Sequence, residues 1–278
     1  MKFALIVNTC DKFEDCWDPF FKLFSIYWPN FEGTIYLNTE YKNYSYGDLN
    51  IIAVQGSLNN KIPKNRSATW SQCLKWALEV VKEDIVLYMQ EDYFLNRKIQ
   101  NSVFNNYIKL FSISKKIDCI HLTNKSALGK EIFQLNSLKL YSISIHDKDR
   151  ISCQAALWKK EVLNSYLKSY ESGWDFEWWG SKRSVYLNHH FYTTNRIGNS
   201  FDERNIISYE MTGVIGGKWY PGVVKLFKDH NIEIDFSKRD FFKREQLSFK
   251  VRLFRKLNNL PSNIRGYFSV LKLKLKYL

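Results

Sequence analysis

The run from Ile85 to Met89 constrains the fold of this chain more than any other segment. Its five residues are all apolar or aromatic and show no polar alternation, which predicts a strand that is buried on both faces. Strand and helix patterns alternate around it over the first 125 residues. We therefore predict an α/β fold, with a mainly parallel, Rossmann-like sheet that is flanked by helices.

The remaining elements follow from apolar periodicity and helix-start signals. The fingerprint Gly-x-Gly-x-x-Gly does not follow the first strand, so no dinucleotide site is predicted there. Asp18 is the predicted N-cap of the first helix, and Ser67 is the predicted cap of the second. The predicted strands are 2–8, 34–37, 51–54, 85–89, 119–122, 138–145 and 152–158, and the predicted helices are 20–27, 70–81, 103–113, 161–167, 175–186 and 221–230.

Two adjacent acids, Glu91 and Asp92, come directly after the central apolar run. In open α/β sheets, ligands bind at the carboxyl ends of the strands. Neighbouring carboxylates repel each other unless a cation or a donor-rich ligand relieves the repulsion. Because Mg²⁺ and Mn²⁺ prefer carboxylate and phosphate oxygens, the pair predicts a site for a divalent metal and a diphosphate. The alternative is two solvated acids in a turn.

A second acidic group, Asp175 and Glu177, lies among Trp174, Trp178 and Trp179. A carboxylate among indole rings tends to a raised pKa, which suits a general base, and indole faces also stack on sugar rings. Glu177 is the preferred base and Asp175 the second candidate. In the alternative interpretation Asp175 caps a helix and the tryptophans belong to the core.

The segment Gly216-Gly217-Lys218 is a third candidate. Paired glycines let backbone N–H groups approach an anion, Lys218 adds positive charge, and a helix predicted from Pro221 would present its positive end. This pattern predicts a phosphate cradle, or alternatively a tight surface turn. The five histidines show no zinc spacing.

The charge is concentrated at one end of the chain. Of the 41 Lys and Arg residues, eleven lie between Arg239 and Leu278, where only Asp240 and Glu245 oppose them. We therefore predict a body, residues 1–238, and a basic amphipathic tail, residues 239–278. Such a tail is expected to lie on an anionic membrane surface, the alternatives being a helix that packs on the body or an oligomer contact.

The cysteine pattern and the absence of long apolar runs predict a compartment. The five cysteines are odd in number and contain no Cys-x-x-Cys pair, and no apolar run is long enough to cross a membrane. The start of the chain, 1–7, is too short for a signal core. A cytoplasmic protein, peripheral on the inner face of the cell membrane, is expected.

With these pieces placed, the chain resembles bacterial glycosyltransferases of the GT-A fold that build capsule, O-antigen or lipooligosaccharide. The resemblance covers about residues 1–235 and includes the first strand with its nucleotide-facing loop, the helix before the metal strand, the end of that strand, and the acceptor-side helix. The segments that carry it are 6–12, 70–78, 87–94 and 174–183. Gln90-Glu91-Asp92 departs from the Asp-x-Asp motif of that fold, and some members without the motif hold the diphosphate with Lys or Arg.

The resemblance implies a hexosyltransferase-like enzyme (EC 2.4) that moves a sugar from a nucleotide-sugar donor to a saccharide or lipid-linked acceptor, with inversion. It implies a carboxylate base, Glu177, and a divalent metal, Mn²⁺ or Mg²⁺, at Asp92 and Glu91. The residues expected to contact the donor are Thr9, Asp11, Arg66, Lys218 and Arg183.

Two other classes remain as alternatives, a non-catalytic carbohydrate-binding protein and a nucleic-acid-binding protein. Nucleic acid is disfavoured as a partner because the positive charge lies in the tail, whereas the aromatic rings and acids lie in the body.

Overall fold

The computed structural model describes residues 2–135, 138–195, 205–210, 212–244 and 260–277. The strands are β1 (Phe3–Asn8), β2 (Thr34–Asn38), β3 (Ile51–Ala53), β4 (Ile85–Gln90), β5 (Cys119–His121), β6 (Glu131–Leu135), β7 (Leu138–Ser142), β8 (Ala156–Lys159), β9 (Phe191–Thr193), β10 (Val214–Ile215) and β11 (Lys218–Trp219). The helices are α1 (Trp17–Tyr27), α2 (Gly56–Asn59), α3 (Trp70–Val80), α4 (Asn101–Ile113), α5 (Lys160–Tyr166), α6 (Gly173–Arg183), α7 (Val223–Asp229) and α8 (Leu260–Tyr277), with 3₁₀ turns at Asp11–Cys16 and Phe236–Lys238.

Within the described residues, nine strands form one sheet in the order β3-β2-β1-β4-β8-β5-β9-β7-β6. The pairings show that all of these strands except β7 and β8 run in the same direction. The predicted fold class, a mainly parallel sheet flanked by helices with a C-terminal helix, is confirmed. Strands β10 and β11 form a separate antiparallel hairpin.

Strand β4 lies inside the sheet and is buried on both faces, as its apolar run predicts. Leu87 and Met89 face a core that includes side chains of α1, α4 and α7. Val86 and Tyr88 face a second core, which includes side chains of α3, α5 and α6. Successive side chains of a strand point to opposite faces, so each face of β4 needs its own layer of helices.

Three predicted helix starts are wrong, each by a few residues. Asp18 is not an N-cap, because α1 begins one residue earlier, and its carboxylate instead accepts a hydrogen bond from the Tyr44 hydroxyl at 2.8 Å. Thr69, not Ser67, caps α3, because Gln72 completes a capping box with Thr69. Ser172 caps α6.

The predicted boundary between residues 238 and 239 falls inside a packed region. The Arg239 guanidinium donates to both carboxylate oxygens of Asp15, at 2.6 and 2.5 Å. The Phe242 N–H donates to the Trp219 carbonyl at 2.8 Å. Residues 239–242 therefore pack on the body. Much of the predicted tail, 245–259, lies outside the described residues, and its separation as a domain stays a prediction.

Candidate functional site

Glu91 and Asp92 lie at the carboxyl end of β4. The parallel strands β1 and β2, which follow β4 in the sheet order, end at the same edge of the sheet. The two side chains are buried, being 7% and 5% exposed. Burial raises the pKa of Glu91 well above its usual range, and the adjacent Asp92 raises it further. Burial also raises the pKa of Asp92. The pair is therefore not two solvated acids in a turn, and its negative charge is costly in the absence of a cation.

The hairpin β10–β11 fixes the orientation of Asp92. The Oδ2 atom of Asp92 accepts hydrogen bonds from the Thr212 hydroxyl at 2.6 Å and from the Val214 N–H at 3.1 Å. The Gly213 N–H donates to the Asp92 carbonyl at 2.8 Å. A Cβ at position 213 would lie 2.1 Å from the Phe94 ring, so only glycine permits this close approach.

The donor set of this pair fits a small divalent cation. Asp92 Oδ1 is buried and has no hydrogen-bond partner among the described residues, which leaves an unpaired carboxyl oxygen on the residue next to Glu91. Those same residues contain no cluster of three or more His, Cys, Asp or Glu side chains placed to hold a metal. Mg²⁺ in proteins commonly has one or two carboxylate ligands, with phosphate and water completing the shell. The remaining ligands would therefore come from a bound phosphate group and from water.

Arg239 lies near the acid pair, a position that sequence reasoning missed. Its guanidinium lies 4.3 Å from the centroid of the Phe13 ring, and its side chain is 7% exposed. Its positive charge lowers the pKa of Glu91, against the larger effect of burial. Both of its salt-bridging nitrogens are bound to Asp15, however, so Arg239 only partly offsets the charge of the pair. No local sequence signal links residue 239 with residues 15 and 91.

Glu177 is held beside the same strand end. Its Oε1 accepts hydrogen bonds from the Cys153 N–H at 2.7 Å and from the Ser152 hydroxyl at 3.3 Å. The Cys153 carbonyl accepts from the Tyr93 hydroxyl at 2.9 Å, and Tyr93 directly follows Asp92 in the chain. Burial raises the pKa of Glu177, against the opposing effect of these hydrogen bonds. The predicted base is therefore linked to the residue after the acid pair by two hydrogen bonds, which pass through Cys153 and Tyr93.

Asp175 serves the helix and does not face the acid pair through any described contact. It is the third residue of α6, and its Oδ2 accepts from the N–H and hydroxyl of Ser172 at 3.2 and 2.7 Å. The Ser172 hydroxyl in turn accepts from the Asp175 N–H, which completes a capping box. This is the capping role of the alternative interpretation, and a catalytic role for Asp175 stays a prediction. Trp174 and Trp178 are 83% and 50% exposed, whereas Trp179 is buried.

Arg183 is almost fully buried, and its guanidinium is bound to other residues of the chain. Its guanidinium donates to both oxygens of Glu171, at 2.6 and 2.8 Å, and to the Tyr166 carbonyl at 2.9 Å. Arg183 is 1% exposed and Glu171 is fully buried. This side chain therefore forms a buried ion pair at the end of α6, and the donor contact expected at Arg183 stays a prediction that its burial disfavours.

Thr9 and Asp11 lie in the loop after β1, at the same sheet edge as the acid pair. Thr9 Oγ1 accepts from the Trp17 indole N–H at 2.9 Å. The Asp11 carboxylate accepts from three backbone N–H groups, those of residues 40–42, at 2.9 to 3.2 Å. These contacts fasten the loop after β1 to the loop after β2. A contact of either side chain with a nucleotide stays a prediction.

Lys218 and Arg66 are both accessible cations. Gly216 and Gly217, with φ of 58° and 82°, form the two-residue turn between β10 and β11. Lys218 follows this turn, half exposed, with its Nζ 3.7 Å from an Asp240 carboxylate oxygen. The glycines thus serve a tight turn, the alternative weighed above, and a phosphate contact at Lys218 stays a prediction. Arg66 is exposed in the loop before α3.

A cavity of about 670 Å³ lies away from these residues. It is lined by the segment after β7 and the segment before β9, at the sheet edge opposite the carboxyl end of β4. Arg150, which lines it, uses two guanidinium nitrogens to bind the carbonyls of Ile143 and His189. That arginine therefore joins two loops rather than presenting its charge to the cavity.

No protein-family profile matches the chain, and no curated protein sequence matches it. Solved structures match at low identity. TarS from S. aureus in complex with UDP-GlcNAc is 14% identical, with 86% of this chain and 69% of that one covered and a TM-score of 0.44. Glucosyl-3-phosphoglycerate synthase from Mycobacterium tuberculosis in complex with UDP is 9% identical, with 72% and 73% covered and a TM-score of 0.41.

The bifunctional IspDF from Campylobacter jejuni is 15% identical, with 73% of this chain and 52% of that one covered and a TM-score of 0.33. The chain thus spans only about half of the length of IspDF, and it spans 58% of a second structure of the same TarS fragment, residues 1–349. Similarity at this level assigns neither a family nor an activity to this chain.

Proposed function

We propose that this chain is a glycosyltransferase of the GT-A type that uses a nucleotide-sugar donor and transfers the sugar, with inversion, to a saccharide or lipid-linked acceptor. One observation carries the proposal. Cys153 binds both Glu177, a half-buried carboxylate, and Tyr93, which directly follows the buried acid pair at the carboxyl end of β4. The acid pair suits a cation with a diphosphate, and Glu177 suits an attacking hydroxyl.

The donor side is built on Asp92. Thr212 and Val214 hold Oδ2, so that Oδ1 is left to bind a cation together with Glu91. A bound Mn²⁺ or Mg²⁺ would supply positive charge to the leaving diphosphate. Lys218, which is half exposed on the adjacent hairpin, is the accessible cation that we assign to add to that charge.

The acceptor side is built on α6. Glu177 takes the proton of the acceptor hydroxyl as that oxygen bonds to the anomeric carbon and the bond to the nucleoside diphosphate breaks. The Cys153 N–H and the Ser152 hydroxyl orient the carboxylate, and its raised pKa makes it a stronger base. Trp174, which lies three residues earlier and is therefore a neighbour on the helix surface, offers an exposed ring on which a sugar can stack.

The test begins with thermal shifts of the full chain in UDP, GDP, CDP and CMP, each with Mn²⁺ and with a chelator. We expect at least one nucleoside diphosphate to stabilise the chain, and the matching nucleotide sugar to be hydrolysed slowly. Asp92→Asn should weaken that affinity about tenfold, mainly in Mn²⁺, because it removes one ionic ligand. Asp229→Asn, an exposed acid at the end of α7, is the matched control.

The outcomes separate the candidates. Equal affinity of the unmodified chain with and without metal would indicate a metal-free site that relies on Lys218. The exposed rings of Trp174 and Trp178 also favour a second candidate, a non-catalytic carbohydrate-binding protein. That candidate predicts saccharide binding without any donor hydrolysis, and the absence of both nucleotide binding and hydrolysis would contradict the proposed function.

A further inference from the structure

Helix α8 is attached to the body by one of its faces. Gly266 packs so closely against Trp179 that a Cβ there would lie 2.2 Å from the indole ring. The Ser269 hydroxyl accepts a hydrogen bond from Arg183 Nη1 at 3.1 Å. Both contacts are with α6, the helix that carries Glu177. This face of α8 is therefore already occupied.

The opposite face of α8 carries an apolar stripe, which the described residues leave uncovered. Its members recur at spacings of three, four and seven residues, so they align on one side of the helix, roughly opposite Gly266 and Ser269. Each is between 48% and 72% exposed: Leu260, Ile264, Tyr267, Phe268 and Leu275. One exposed apolar residue needs no explanation, but a continuous stripe along one helix marks an interaction surface.

The charges around the stripe favour one kind of partner. Lys272, Lys274 and Lys276 are exposed on the same helix, with Lys274 and Lys272 bordering the stripe on its two sides. The sequence from Leu260 to Tyr277 contains no Asp or Glu. An apolar stripe bordered by lysines is typical of helices that lie in the interface of an anionic membrane.

We propose that the apolar stripe of α8 docks on an anionic lipid surface while the Gly266 face stays bound to α6. No helix within the described ranges combines the length and apolar character that a membrane span requires, so α8 would lie in the plane of the surface. Trp174 and Trp178, exposed on α6, are of the residue type that concentrates at membrane interfaces. The membrane-binding surface predicted for residues 239–278 is thereby assigned to one face of α8.

The docking has a consequence for the substrate, which rests on the proposed function. Because α8 is bound to α6, a docked α8 would hold the helix that carries Glu177 beside the lipid surface. An acceptor anchored in that surface would then reach Glu177 without leaving the membrane. A lipid-linked acceptor is therefore the substrate class that this arrangement suits.

The experiment is co-sedimentation of the full chain with vesicles of phosphatidylcholine, alone or mixed with phosphatidylglycerol. We expect binding to the mixed vesicles that weakens with added salt. Ile264→Ser with Phe268→Ser should reduce partitioning about tenfold or more, because both side chains lose apolar burial. The matched control is Ile26→Ser with Ile113→Ser, which changes two exposed helix residues far from the stripe.

A charge variant tests the second part of the surface. Lys272→Glu with Lys274→Glu should abolish the preference for phosphatidylglycerol, whereas Lys109→Glu on α4 should not. Unchanged partitioning of the Ile264/Phe268 variant would overturn the proposal. So would a dimer of the unmodified chain that this variant converts to a monomer, because the stripe would then be a contact between copies.

Nucleotide-induced thermal shifts measured on the same preparations keep the two proposals distinguishable. A stripe variant that loses vesicle binding but keeps its nucleotide shift supports docking independently of the reaction. An unmodified chain that binds vesicles but no nucleotide contradicts the proposed function and leaves the docking surface in place.

Discussion

Two of the buried acidic sites among the described residues differ in their partners. Glu171 is fully buried and receives two hydrogen bonds from Arg183, so the charge that burial disfavours has a bidentate partner. Glu91 and Asp92 are almost as deeply buried, but the nearby cation, Arg239, is bound to Asp15. The first site is complete without a ligand. The second has an unpaired oxygen and a charge that a ligand can neutralise.

The partner of a buried acid therefore distinguishes a structural acid from a ligand-binding acid better than its burial or its charge alone. Burial raises the pKa of Glu171, and the nearby Arg183 acts to lower it. Burial also raises the pKa of Glu91, and the nearby Asp92 raises it further. A buried carboxylate paired with an arginine stabilises one packing arrangement. A buried carboxylate beside another carboxylate is destabilising until a cation arrives, which is a reason to expect that a ligand binds there.

The largest expected effect concerns the Glu171–Arg183 pair, the buried site that already has its cation. Arg183→Ala should lower the free energy of unfolding by about 3–5 kcal/mol, because it leaves Glu171 buried with no cation. Denaturant unfolding measures the change. The double variant Arg183→Met with Glu171→Leu removes both charges and should recover most of the loss.

If the double variant is as unstable as Arg183→Ala, the cost comes from lost packing around α6 and α8 and not from an unpaired charge. A further check is nucleotide affinity, which should be unchanged in the double variant. A selective loss of nucleotide affinity would support Arg183 as a donor contact.

The next largest effect concerns Glu177, the predicted base near the Glu91–Asp92 pair. Glu177→Gln should lower the rate of transfer by about a hundredfold or more, with nucleotide affinity unchanged, because a general base contributes on that scale. In the unmodified chain the rate should fall as pH drops through the raised pKa of Glu177, since the protonated carboxyl cannot accept the hydroxyl proton. This acidic limb should disappear in the variant.

Asp175→Asn is the matched control for Glu177→Gln, since both changes replace an acid by its amide on α6. It should weaken the helix cap by about 1 kcal/mol and leave the transfer rate near normal. A hundredfold loss in Asp175→Asn with normal transfer in Glu177→Gln would exchange the two assignments.

The central strand and the position of its acid pair could be predicted from the sequence because both depend on neighbours in the chain. The run Ile85–Met89 predicts a strand that is buried on both faces, and the strand end places Glu91 and Asp92 at the ligand edge of the sheet. The partners of the pair could not be predicted. Thr212 and Arg239 come from more than a hundred positions further along the chain, and no local pattern encodes such contacts.

The acids near loops and helix starts show a second limit. All three acids accept from backbone N–H groups. Those bound by Asp11 and Asp175 lie in the loop after β2 and at the start of α6, whereas the one bound by Glu177 belongs to Cys153, whose carbonyl binds Tyr93 just after β4. Acids are favoured at such positions for capping and for catalysis alike, so the residue type and its spacing do not distinguish the two roles. Only the hydrogen-bond partners do.

The smallest expected effect concerns stability at the incomplete site. The folded chain binds the Glu91 proton more tightly than the unfolded chain does, because burial and Asp92 raise the pKa of Glu91. The free energy of unfolding should therefore fall as pH rises above the usual range of a glutamate. Glu91→Gln removes this cost and should stabilise the chain at neutral pH, in chelator, by about 1 kcal/mol, or about 2–4 °C in Tm.

Glu79→Gln, the same change at an exposed position of α3, should leave Tm unchanged. Mn²⁺ should raise the Tm of the unmodified chain more than that of Glu91→Gln, since the metal and the amide relieve the same repulsion. If Glu91→Gln is less stable than the unmodified chain in chelator, the acid pair is already neutralised by the protein. The contrast with the Glu171–Arg183 pair would then fail at the point on which the metal proposal depends.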